Sequence, residues 1–150
     1  MSLFLYLGGA YHLAWVIFES LWPILWNWKK TLEPVDDLQK LLPRLTSRGM
    51  VALYLGIAYL SFFQTSALLS TALGRDILIF VVAIWTARTI LQIWYFGLIG
   101  KANAMRLDRD SYRLPFRNTP PQVFTNAFLI VFAFGIMCYA VPLIHLLRSP

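Results

Sequence analysis

The chain has 150 residues, of which 59% are hydrophobic, 16% aromatic and only 13% charged, with a mean hydropathy of +0.62. Soluble domains carry about 25% charged residues, so this composition excludes an ordinary soluble domain. The formal charge of +6 is not a nucleic-acid signature either, because the basic residues gather in two short segments between apolar runs. Those runs lie at 3–26, 50–72, 77–100 and 123–147, and each reaches the roughly 20 residues that a helix needs to cross hydrocarbon. They predict an all-α integral membrane four-helix bundle forming a single domain.

The first run, "LFLYLGGAYHLAWVIFESLWPILW", starts close to the initiator Met without a basic leader or a small-residue cleavage site. It reads as a retained helix. His12 and Glu19 lie seven residues apart on one of its faces. It ends in Trp22, Trp26 and Trp28, followed by Lys29 and Lys30. Indoles followed by lysines mark the membrane–water interface. Pro23 removes one backbone donor and bends the last turn.

Between the first two runs, Pro34, Asp36 and Asp37 suit a helix start facing the positive end of its dipole. Leu38, Leu41, Leu42 and Leu45 recur at helical spacing, and Pro43 limits this helix to about two turns. A short helix lying on the membrane surface is expected; a docking site for a partner protein has the same pattern. The second run pairs small residues at Ala52 and Gly56 and at Ser66 and Ser70, spacings that let membrane helices approach closely. The segment Leu73–Asp76, "LGRD", predicts a tight turn that folds the second and third runs into an antiparallel hairpin. The third run carries Arg88 and, one turn later, Gln92. The fourth, introduced by "NTPPQ", is the least polar.

Ten Lys and Arg residues lie in the segments 27–49 and 101–122, against Arg75 and Arg148 on the opposite side. By the positive-inside rule both termini are non-cytoplasmic and the two long loops cytoplasmic, in contact with anionic membrane lipid. With that topology, a rise of 1.5 Å per residue puts Arg88 roughly 18 Å and Glu19 roughly 24 Å below the outer surface. An unpaired arginine inside the bilayer costs about 2.5–3.5 kcal/mol. Glu19 is the one carboxylate within a run, so Glu19, Arg88 and Gln92 are expected to form a buried polar cluster between the first and third crossings. His12 and Gln64, each about 13 Å deep, form a second level above it. Thr86, Thr89, Tyr59 and Ser61 offer nearby hydroxyls.

The third run, with Gly74, Arg75, Trp85, Arg88, Leu91, Gln92, Tyr95 and Phe96, resembles a pattern in small bacterial four-span membrane proteins of unknown function. The "GAxHL"-like stretch of Gly9, Ala10, His12 and Leu13 is similar to their first span. The resemblance covers about half the chain, excludes the loop 101–121, and implies a bacterial inner-membrane protein in which His12, Arg88 and Gln92 act as one set. It implies no activity.

Three uses compete for the set His12, Glu19, Gln64, Arg88 and Gln92. It holds the helices in register, or it lines a pocket for a lipid-like or quinone-like molecule, or it passes protons in a small transporter or channel-like protein. No catalytic motif or metal-ligand pattern stands out. One cysteine, Cys138, permits no intrachain disulfide. Haem held by two histidines is disfavoured because His145 lies about 10 Å above His12. The expected function is that of a non-enzymatic small membrane subunit or accessory factor, within a larger membrane-protein complex or a homo-oligomer. The coupled transporter is the alternative, and a membrane enzyme acting on a lipid is third.

Overall fold

The computed structural model of the chain describes residues 1–25, 27–96 and 121–148. Trp26, the Lys30 side chain and the basic loop 101–120 lie outside the described residues. Among the described residues six helices follow in order: α1 (Ser2–Leu25), α2 (Trp28–Thr31), α3 (Asp37–Phe63), α4 (Thr65–Ser70), α5 (Ala72–Phe96) and α6 (Pro121–Arg148). No strand occurs among the described residues.

Local chemistry sets these boundaries. Asn27 adopts a left-handed conformation (φ 45°), which closes α1 as asparagine can, and its N–H donates to the Ile24 carbonyl at 3.2 Å. Asp36 caps α3 by accepting from the Gln39 N–H at 2.9 Å, satisfying one of the orphan donors of the first turn. The helix that begins there does not stop at Pro43. It runs unbroken for 27 residues to Phe63, so the expected short surface helix and the second crossing are one element. A proline near a helix start removes a single hydrogen bond, and the turns on either side carry the helix past it.

The turn expected at Leu73–Asp76 is displaced. Gln64 (φ −117°, ψ 23°) ends α3, α4 follows, and Thr71 (ψ 153°) separates it from α5. Gly74 and Arg75 therefore lie within the first turn of α5. The glycine is needed for packing: a Cβ there would come within 2.5 Å of the Leu68 Cα atom, so α4 and α5 meet backbone to backbone. The Thr71 hydroxyl accepts from the Gly74 N–H at 2.9 Å and supplies the N-terminal cap.

Helix α1 packs against α3 and α6, and α5 packs against α6 and α4. The core between them is aromatic. Trp15 stacks on Phe132 with ring centroids 5.7 Å apart, and Trp85 stacks on Tyr54 at 5.9 Å and 10°. Trp85, Phe132 and Tyr139 are each about 1% exposed. Such rings contribute most of the buried area, and each favourable ring pair adds about 0.5–1.5 kcal/mol. The outer faces are also apolar: Ile17, Phe63, Trp94 and Ile130 are 62–73% exposed. An exposed apolar surface this extensive marks contact with membrane or protein. Three helices are long and apolar enough to cross a membrane, at 37–63, 72–94 and 126–148. The described residues therefore form an all-helical, membrane-embedded structure.

Candidate functional site

Two polar centres occupy different places in this fold. The first is interior. His12 is fully buried on α1, and its imidazole Nε2 accepts from the Trp85 indole N–H of α5 at 3.1 Å. An indole nitrogen can only donate, so Nε2 is the acceptor and the ring proton sits on Nδ1. That N–H is directed at the Gly8 carbonyl at 2.8 Å, with the Tyr139 hydroxyl of α6 also in reach at 3.0 Å. The Tyr139 hydroxyl then donates to Ser61 Oγ at 2.9 Å, and Ser61 of α3 donates to the Ile57 carbonyl at 2.8 Å. Every proton in the chain has an acceptor, and one member comes from each of the four long helices.

Gly8 makes the approach possible. A Cβ at that position would lie 2.6 Å from the Tyr139 ring, which would push α6 away and open the Tyr139–His12 contact. With the proton on Nδ1 the network is a closed set of hydrogen bonds between neutral groups. Both histidine nitrogens are engaged in it.

The second centre lies at the end of α1. Pro23 lacks an N–H, so the carbonyl four residues earlier, that of Glu19, has no helical donor. Ser47 Oγ of α3 stands 3.4 Å from that carbonyl and 3.2 Å from the Glu19 carboxylate. Around this junction opens a cleft of about 730 Å³ between α1, the α1–α2 turn and the first half of α3. Helix α1 presents Ser20, Pro23 and Ile24 to it, with Asn27 from the turn that follows, and α3 presents an i, i+3, i+4, i+7 face of Arg44, Ser47, Arg48 and Val51. Trp28 and Lys29 also line it.

The expected cluster is thus divided. Among the described residues no ion pair joins Glu19 to Arg88. The carboxylate turns to Ser47 on α3, and the Arg88 guanidinium sits over the Phe132 ring of α6, 5.8 Å from its centroid. The Arg88 charge acts on Glu19 only through space. The physical reason is the arrangement of the bundle: α1 lies along α3 and α6, so the nearest polar surface to Glu19 is on α3. Gln64 is exposed at the α3–α4 junction, where its backbone serves as a cap, and does not reach His12. Gln92 is half-buried on α5 and joins neither centre. Among the neighbouring hydroxyls, Ser61 does join His12; Thr86 and Tyr59 are exposed, and Thr89 bonds back to the Trp85 carbonyl. Ala52 and Gly56 face outward, with open space around Gly56, so they do not pack α3 within the chain.

Of the interface residues, Trp22 packs edge-on against Phe18 with centroids 5.2 Å apart, and Trp28 and Lys29 line the cleft. Sequence reasoning missed Trp85, Tyr139, Ser47, Arg44 and Arg48 as site residues. Tyr139 carries no signal beyond being a polar-tipped ring within an apolar run. The signal for Ser47 was present, since Pro23 exposes the carbonyl of a residue that also bears the carboxylate. Among the described residues no group of three or more His, Cys, Asp and Glu side chains converges on a metal position. Comparisons with protein-family models, with curated proteins and with solved structures give no match to this chain.

Proposed function

We propose that this chain is a non-enzymatic four-crossing membrane protein, an accessory factor or small subunit that holds a lipid-like amphiphile in the cleft beside Glu19. The cleft is the observation that carries the reading. It combines an apolar wall from Pro23, Ile24 and Val51 with charged groups from both helices, the pattern of a site for a molecule with one greasy and one polar end.

Helix α1 completes the four crossings in this reading. Its 24 residues span about 36 Å, its outward face carries Leu3, Ile17 and Ile24, and its histidine is satisfied inside the bundle. The excess of Lys and Arg in 27–49 and 101–122 supports non-cytoplasmic termini, which sets the cleft at the cytoplasmic edge. The likeness to small bacterial four-span proteins supports the inner membrane as location. The two engaged nitrogens of His12 weigh against a proton-coupled transporter built on that residue.

Mass spectrometry of lipid co-purifying in mild detergent tests the reading. One amphiphile class, enriched over the bulk membrane and depleted by Val51→Trp, is the expected result. The same bulk lipid composition in both proteins would overturn it.

A further inference from the structure

We infer that the cleft recognises the amphiphile by a phosphodiester headgroup that also carries a hydroxyl or ammonium donor. The inference rests on the amphiphile reading above and adds the chemistry of the polar end. Three cations, Lys29, Arg44 and Arg48, line the cleft with one carboxylate, Glu19, so the site carries a net positive charge and selects an anionic group.

Arg44 and Arg48 are one helical turn apart on the same face of α3, and both are exposed. Among the described residues the ion pairs are Lys40–Asp37 and Arg75–Asp76, so neither arginine has its fork taken by a carboxylate. Two adjacent guanidinium groups match the oxygens of a phosphate, which they bind through paired N–H donors. Ser47 stands between them in sequence, already engaged with Glu19.

Glu19 sets the second requirement. A carboxylate inside a cationic cleft repels a bare anion and accepts from a donor. A fatty acid offers the charge without the donor. A phosphodiester bearing glycerol hydroxyls or a primary ammonium offers both, with the donor a few ångströms from the phosphorus. A quaternary ammonium headgroup has no N–H or O–H to give. The site therefore ranks phosphatidylglycerol and phosphatidylethanolamine above phosphatidylcholine and above a fatty acid.

The full chain, reconstituted in phosphatidylcholine vesicles doped with phosphatidylglycerol, phosphatidylethanolamine or oleate and then analysed by native mass spectrometry, tests this ranking. Expected is retention of the first two about tenfold over phosphatidylcholine, the size of one charge-assisted hydrogen bond to Glu19. Arg44→Gln with Arg48→Gln lowers the retention of all three phospholipids together, and Glu19→Gln narrows the gap to phosphatidylcholine. Both arginines are exposed, so the double variant keeps the bundle, as an unchanged melting profile would verify. Equal retention of oleate, unaffected by the arginine changes, would overturn the headgroup inference and leave the amphiphile reading standing. No retained amphiphile of any class would overturn both. Displacement of the lipid by millimolar glycerol phosphate would show a site for a soluble phosphate ester and overturn the membrane source.

Discussion

Two tyrosines in this bundle look alike in the sequence and differ in consequence. The Tyr139 hydroxyl links His12 to Ser61, whereas the Tyr11 hydroxyl is buried with no hydrogen-bond partner among the described residues. The Trp15 ring lies edge-on to Tyr11 at 6.2 Å. Replacing Tyr139 with Phe removes a satisfied link while His12 keeps Gly8 and Ser61 keeps Ile57, so the cost should be about 0.5–1.5 kcal/mol, the usual size of an interhelical hydrogen bond in a membrane. Tyr11→Phe removes a buried hydroxyl that gains nothing and should be neutral or mildly stabilising. Reversible unfolding of both variants in detergent measures the difference; equal losses would contradict the network. At this scale the sequence was half legible. The depth and burial of His12 could be read from its place in an apolar run. Its partners could not, because which helix faces it depends on bundle order. The same holds for Arg88: its depth called for a buried countercharge, but the residue is exposed on α5 and its guanidinium meets an aromatic face. A cation over a ring gains about 0.5–2 kcal/mol, and the guanidinium stem lets the charge reach toward the interface.

Among the elements, α1 and α3 show how backbone chemistry places function. Gly8 of α1 lets Tyr139 close on the helix, and a methyl group there would overlap that ring. Gly8→Ala should therefore cost about 1–3 kcal/mol, as overpacking does. Gly56→Ala, with open space around it, should stabilise α3 by up to about 1 kcal/mol. Thermal unfolding of the pair gives the two signs, and matching signs would refute the packing described. Helix existence was readable from hydropathy at all four runs. The ends were not: Pro43 lies within a helix that continues through it, and the break between the second and third runs falls at Gln64 and Thr71. A glycine in a short polar segment signals either a turn or a close helix contact, and only the position of α4 distinguishes them.

Across the whole molecule, the polar groups sort into a closed interior and an open edge. The interior network joins all four long helices, while the edge cleft gathers charge around the carbonyl freed by Pro23. Cys138, fully buried in the core, should resist a membrane-permeant maleimide until the bundle unfolds; rapid labelling of the native protein would contradict the packing of α6. In a Cys138→Ser background, a cysteine placed at Ser2 should react with an impermeant maleimide from the non-cytoplasmic side, and protection there would reverse the proposed topology. The central claim is that Glu19 belongs to the cleft with α3 and is not the counterion of Arg88. Double-mutant cycles on unfolding free energy test it most directly, pairing Glu19→Gln with Ser47→Ala and with Arg88→Leu. The expected result is a Glu19–Ser47 coupling of about 0.5–1.5 kcal/mol, as for one hydrogen bond, and a smaller one for Glu19–Arg88. A dominant Glu19–Arg88 coupling would show that the carboxylate points across the bundle and that the cleft lacks its acceptor.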